Sequence, residues 1–599
     1  MTAAPINPGF MVVHGNRLED LRALAVDWMR RHPLAPLENE TILVQSNGIA
    51  QWLKLALAMD PDGPEAGMGI AAALDVQLPA RFLWNAYRAV LGAEAVPTES
   101  PFAKDPLTWR LMRLLPECLE QPAFAPLRRF LTDDADLRKR HQLALRLADL
   151  LDQYQVYRAD WLDDWAAGRD QARDPRGVLR PLDGEDSRWQ PALWRALIED
   201  MPPDARSLSR AGVHVRFMER VRALEARPPD LPRRVIVFGI SSLPAQTLEA
   251  LEGLARFSQV LLCVHNPWRH YWADIISDKD LLRARRRRQS PKAGMPDVIA
   301  EEDLHNHAHP LLAAWGKQGR DYIRLLDEHD DPGHYRSLLE SLPWQRIDLF
   351  EPRGGETLLQ QLQDDILDLC PLAETRDHWP PVDPAEDDSI RFHVAHSPQR
   401  EVEILHDQLL ARFSRDPTLR PRDIIVMVPD VDRYAPHVQA VFGQTRPDDP
   451  RHIPFCFSDQ ARRGRDPFLM VLEQLLHLPE SRLSVSELLD LLDLPALRDR
   501  FGIGQGDLPR LRAWIEGAGI RWGLDARQRS ALSLPEGLEQ NTWRFGLRRM
   551  LLGYAAGSPG PWREIEPYDE ISGLDAALVG PLHALLEALD QAWRRLAEP

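Results

Sequence analysis

The stretch "TILVQSNGIAQWLKLAL", residues 41–57, decides how this chain is read. It opens as a buried strand, Ile42-Leu43-Val44, and closes as an apolar-faced helix carrying Trp52, Leu53 and Leu57. Between them lie Gln45, Ser46, Asn47 and Gly48, with Gln51 one step further on. In an α/β protein the turn from strand to helix is where ligands bind. A nucleotide site would put glycines, a lysine and a hydroxyl there, because backbone amides and an ammonium must hold the phosphates. This turn offers amides instead.

The same strand–helix rhythm recurs on both sides. "FMVVHGN" (residues 10–16) precedes a helix with Leu18, Leu21 and Leu24 on one face. From residue 78 to 227 the apolar residues recur at helical spacing, as in "RFLWNAYRAVLGA" and "HQLALRLADLLDQYQVYRADWLDDWAA". Strands return at "RRVIVFGISSLP" (233–244) and "SQVLLCVHNP" (258–267). The expectation is a first α/β domain over residues 1–370, with its core in 1–77 and 228–370 and a helical insertion over 78–227. "PLAETRDHWPPVDPAEDD" (371–388) reads as a polar, proline-rich linker. A second α/β domain is expected over 389–599. Its strands would be "SIRFHVAHS", "RDIIVMVPD" and "IPFCFSD" within 389–460, followed by a helical region that stops without a domain end.

At 599 residues the chain has room for about three to five domains. No apolar run approaches the ~20 residues of a membrane span, and the N-terminus lacks a secretion signal. Cys118, Cys263, Cys370 and Cys456 are far apart, which argues against zinc and disulfides and fits a reducing cytosol. The net charge of −17 restricts any DNA contact to a local basic channel.

Lysine is scarce: only Lys54, Lys104, Lys139, Lys279, Lys292 and Lys317 occur. That excludes several chemistries. Only Lys317 follows a glycine, in "AAWGKQGR", and Gln318 stands where an ATPase needs a hydroxyl. None of the six has Glu two positions before it, so the Glu-x-Lys of a metal-dependent nuclease is missing. "HNHAHP" (His305, His307, His309) is a weak metal candidate, and "RARRRR" (Arg283–Arg288) suits phosphate, a partner protein or a solvated helix end equally.

The long strings "TILVQSNGIAQWL", "LTDDADLRKRHQLALRLADLLDQYQVYRADWL", "PLLAAWGKQGRDYI", "HSPQREVEILHDQLLARFSRDPTLRPRDIIVMVPDVDRYAPHVQAVFG" and "TWRFGLRRMLLGYA" resemble the RecC family, the gamma subunit of the bacterial RecBCD (exonuclease V) helicase–nuclease. The resemblance runs along the whole chain, at about half the family's length. It implies two superfamily 1 helicase-like α/β units, P-loop-like with the ATP site lost, carrying large helical insertions. It implies no catalytic residue and no metal or cofactor held here, with ATP and magnesium used by the partner subunits RecB and RecD of a cytoplasmic heterotrimer. The ligands would be single-stranded and forked duplex DNA, scanned for the regulatory octamer Chi.

Amides suit that task, since Gln and Asn carry a donor and an acceptor on one plane. The resemblance assigns Gln45, Asn47 and Gln51 to octamer recognition. Asn47 is equally a candidate N-cap of its helix, and the family pattern carries threonine there. Leu78 and Trp84 match an apolar wedge and an aromatic platform, or plain core packing. Asp149, Leu150 and Asp152 share one stretch, with the two acids on one helix face. Arg158 and Arg210 match arginines that hold guanine or phosphate, or else pair with those aspartates.

Overall fold

A computed structural model of the chain describes residues 6–597, apart from 64–66, 134–136, 174–177, 185, 271–291, 294–306, 330–348, 458–465 and 559. The chain forms two compact units, Met1–Phe392 and His393–Pro599.

The first unit is built on a five-stranded sheet of order β1-β7-β6-β2-β3. Its strands are β1 (Gly9–Gly15), β2 (Glu40–Val44), β3 (Leu74–Gln77), β6 (Arg234–Phe238) and β7 (Gln259–His265). Every neighbouring pair is parallel. Parallel strands need cover on both faces, hence their unbroken apolar runs. Val12, Leu43, Val237 and Leu262 enter one core. Met11, Val13, Ile42, Val44 and Phe238 enter the other, against Leu21, Leu24 and Trp28 of α1 (Leu18–Arg31).

Helix α2 (Asn47–Leu57) follows β2 and α3 (Pro79–Leu91) follows β3. Then come α4 (Lys104–Cys118), α5 (Ala125–Phe130), α6 (Arg138–Tyr157), α7 (Ala159–Ala166), α8 (Trp189–Asp200) and α9 (Arg210–Ala223). Several of these helices have a core of their own around Leu111, Leu115, Leu147, Leu151, Trp165 and Trp194. Within the insertion β4 (Gln171–Arg173) and β5 (Leu179–Pro181) pair as a short antiparallel hairpin that the helical periodicity does not predict. The edge strand β3 is also absent from the sequence reading, because four half-exposed residues give no periodic signal. Helix α10 (Ala245–Leu254) joins β6 to β7, and α11 (Pro310–Trp315) and α12 (Lys317–His329) follow.

The second unit departs from expectation. Among the described residues, none of the three segments expected as strands over 389–460 joins a ladder. Phe392, Val394, Ile425 and Met427 are more than four-fifths exposed. A strand is held by hydrogen-bonded neighbours and by burial of at least one face; the described residues of these segments lack the first, and those of 389–397 and 422–430 lack the second as well. The helices Pro398–Arg415 and Val431–Phe442 form around a small core of Val402, Leu409, Phe442 and Ile453. The region from Val471 to Trp593 is helical with a substantial core, as expected.

Among the described residues no helix is long and apolar enough to cross a membrane. The four cysteines are free.

Candidate nucleic-acid interface

The site is built on the carboxyl edge of the parallel sheet, where strands hand over to helices. Leu43 of β2 pairs with Gln77 of β3, so the turns bearing Gln45 and Leu78 leave adjacent strands at the same level. The helix after β2 is capped by Ser46, whose side chain accepts from the Ile49 amide at 3.4 Å. Asn47 is therefore not the cap. It is the first helical residue, exposed, with Gln51 exposed one turn further on. Residues at i and i+4 are neighbours on a helix surface, so both amides lie on one face.

Gln45 is also exposed but oriented. Its Oε1 accepts from the Ser241 amide at 3.3 Å and from the Ser241 hydroxyl at 3.2 Å, which leaves its NH₂ group to donate elsewhere. Ser241 is brought there by the turn after β6, where Gly239 has φ +62 and a Cβ would meet Leu18 at 3.3 Å. Only glycine takes that conformation without strain.

Leu78 precedes Pro79 at the start of α3 and is about half exposed. Trp84 is half-buried against the sheet's core, and its indole N–H donates to the Pro97 carbonyl at 3.0 Å. It meets Tyr87 edge-on. Packing and a partly open ring face thus coexist in this residue. Tyr87 in turn contacts His214 Nδ1 at 2.9 Å, and His214 Nε2 contacts Glu249 at 2.9 Å, which ties α3, α9 and α10 together.

The second group lies on α6 and the start of α9. Asp149 and Asp152 sit on one face, with Leu150 half-buried between them. Lys104, the first residue of α4, places its Nζ 2.7 Å from Asp149, and the Gln153 amide donates to the other carboxylate oxygen at 3.2 Å. The Lys104 hydrogen bond holds the Asp149 carboxyl below its ordinary range. Burial raises that of Asp152, opposed by the nearby Arg210 guanidinium. Arg210 Nη2 lies 3.2 Å from Asp152 Oδ1, yet that buried oxygen has no aligned hydrogen-bond donor. Arg210 is fixed by Ser209, which caps α9, and by Gln155, which is wholly buried. Gln155 accepts from the Arg210 amide at 3.0 Å and donates to the Phe102 carbonyl at 3.0 Å.

Arg158 does not pair with Asp149 or Asp152. It closes α6 and turns toward Asp160, with two bonds of 3.0 and 2.9 Å, and its guanidinium lies 4.0 Å from the Trp161 ring centroid. The carboxylate two residues away takes both prongs of the fork, which removes Arg158 from the α6 face. Lys104, Gln155 and Ser241 escape the sequence reading. Lysine scarcity alone singles out Lys104, whereas a glutamine inside a helical run carries no signal of its buried role.

The turn after β1, where an ATPase carries its phosphate loop, is closed by the segment 349–351. The Asn16 amide donates to the Leu349 carbonyl at 3.1 Å. The Asn16 side chain donates to the Glu351 carbonyl at 2.8 Å and accepts from the Glu351 amide at 3.0 Å. Arg17 adds an ion pair with Glu351. Among the described residues no group of three metal-ligating side chains forms. His309 instead accepts from the Leu311 amide, and His305 and the run Arg283–Arg288 lie outside the described residues.

The family described as "RecC, N-terminal domain" matches residues 10–369, which contain every one of these side chains, and "RecBCD enzyme subunit RecC fourth domain" matches residues 465–599. The chain belongs to the RecC family. It is 44% identical to the RecBCD enzyme subunit RecC of Escherichia coli strain K12, over 98% of this chain and 51% of that protein. The RecC subunits of Haemophilus influenzae and Mycolicibacterium smegmatis match at 36% and 31%, each over 97% of this chain. The chain spans about half the length of these curated relatives.

Proposed function

We propose that this RecC-family chain is a non-catalytic DNA-binding part of a RecBCD enzyme, which guides separated strands and reads the octamer Chi in single-stranded DNA. The observation that carries this is a contrast between two turns of one sheet. The β1–α1 turn has its amide and side chain consumed by residues 349–351. The β2–α2 turn leaves Gln45, Asn47 and Gln51 exposed, with Gln45 held by Ser241. A closed first turn without lysine suits a scaffold that hydrolyses nothing. Exposed, oriented amides suit base edges, because each can donate and accept, whereas a lysine would bind any phosphate.

The α6–α9 face extends the same reading. Asp152 keeps Oδ1 buried beside Arg210 while its side chain remains partly exposed, and its other carboxylate oxygen would accept from an exocyclic amino group of cytosine. Arg210 stands beside it to meet guanine or phosphate. Leu78 and Trp84 supply an apolar edge and a ring face, and base stacking on such a ring contributes about 1–3 kcal/mol. Arg158 contributes by fixing the end of α6.

In this reading the partners are RecB and RecD, in keeping with the name of the relatives, and the assembly works in the cytoplasm. ATP and magnesium belong to those subunits. The units Met1–Phe392 and His393–Pro599 act as two helicase-like domains, with the segment 371–388, expected as a linker, belonging to the first. The test is binding of the full-length subunit, in its assembled enzyme, to single strands carrying Chi or a scrambled octamer. Tighter binding or a response to Chi alone supports the reading. Equal behaviour with both strands reduces the chain to a structural clamp.

A further inference from the structure

The charges on α6 are arranged as two acid–base pairs one turn apart, Lys104 with Asp149 and Arg210 with Asp152, and the two pairs differ in kind. At the Arg210 pair the α9 backbone is held by Gln155 and Ser209, and the guanidinium meets Asp152 without an aligned hydrogen bond. The Lys104 pair is open, with the lysine side chain 48% and the aspartate 38% exposed. An exposed ion pair contributes little to stability, so either member leaves it readily for a better partner. A nucleic-acid phosphate is such a partner, because neutralising it also releases counterions.

We propose that Lys104 is a further DNA-contacting residue of this site and acts by exchanging partners. Without DNA it neutralises Asp149. When a single strand lies along α6, Lys104 passes to a backbone phosphate and Asp149 is freed to accept from a base. The inference rests on the base-reading role proposed above for the α6 acids. The geometry suits it in two respects. Helices α4 and α6 are locked by Leu107, Leu111, Leu147 and Leu151, so only the lysine side chain need move. Gln153 holds the second oxygen of Asp149, so the carboxylate keeps its orientation when the lysine departs. The exchange makes grip and reading parts of one event, and it keeps an unpaired acid from repelling the incoming strand.

The experiment uses the full-length subunit in its assembled enzyme, as wild type, Lys104→Met, Lys104→Arg and Asp149→Asn. Binding of fluorescent oligothymidine is measured over a salt series, and octamer preference is measured by selection from randomised single strands. Loss of one phosphate contact lowers the slope of log affinity against log salt by about 0.7 on a single strand. That decrease is expected for Lys104→Met, with Lys104→Arg close to wild type. Asp149→Asn, which frees Lys104, should bind oligothymidine more tightly and lose preference at one octamer position. An unchanged slope in Lys104→Met, with altered preference in Asp149→Asn, overturns the exchange and leaves base reading intact. Unaltered preference in Asp149→Asn overturns base reading by this acid, and the exchange with it.

Discussion

Asp152 and Arg210 meet at 3.2 Å across the junction of α6 and α9, charge beside charge but without an aligned hydrogen bond. The arginine compensates the acid without using up its acceptor. Asp149, one turn away, is instead hydrogen-bonded by Lys104 and Gln153. Two carboxylates of one helix face thus stand in opposite electrostatic states.

The two acids should therefore respond oppositely to pH. Burial raises the folded pKa of Asp152 above 3.8, so the native state binds its proton more readily than the unfolded chain. Its ionisation costs stability at neutral pH, and that cost disappears as pH falls through the raised pKa to below 3.8. Asp152→Asn should raise the melting temperature at pH 7 and lose that gain in acid. Asp149 has a lowered pKa, so its contribution is present above 3.8 and is lost as pH falls through the folded value. Asp149→Asn should lower the melting temperature slightly at pH 7 and have no effect in strong acid. Thermal melts from pH 7 to pH 3 check both signs.

Ser46 and Asn47 are adjacent but have separable roles. Ser46→Ala removes a helix cap and should cost about 1 kcal/mol of stability by urea unfolding. Asn47→Ala touches no cap and should leave stability within about 0.5 kcal/mol. Chi response should follow the opposite order, with the larger loss in Asn47→Ala.

Arg158 is committed to Asp160 and to stacking on Trp161. Arg158→Ala should destabilise the first unit by about 1.5–3 kcal/mol, the range for charged hydrogen bonds. Its salt dependence of DNA binding should match wild type. A slope lowered by about 0.7 would mean that the guanidinium holds a phosphate.

The isolated chain should hydrolyse no ATP when single-stranded DNA is added, since the β1–α1 turn is closed by Leu349 and Glu351. A colorimetric phosphate assay checks this. Turnover lost on Lys317→Ala would contradict it.

The parallel sheet of the first unit was legible because buried parallel strands write unbroken apolar runs, as in Met11–Val13 and Leu261–Val264. Strand β3 and the β4–β5 hairpin were not, because three or four exposed or half-exposed residues carry no period. The segments 389–397 and 422–430 show the converse error. Their apolar residues read as strands, but a ladder is a relation between segments, and Phe392 and Ile425 remain exposed without one. At the site, residue types pointed to Gln45, Asn47 and Gln51, while partner choice was invisible. Asp152 faces Arg210 rather than Arg158 because Asp160, two residues away, captures Arg158 first.

If side chains of the first unit read individual bases, each has its own place in the octamer. The decisive measurement maps the Chi response of the assembled enzyme over every single-base variant of the octamer, for wild type, Gln45→Ala, Gln51→Ala and Asp152→Asn. Each substitution should change the map at one position, by about 1–3 kcal/mol there, with a different position for each. Four maps of the same shape, scaled down together, would contradict the claim and make these residues parts of the scaffold alone.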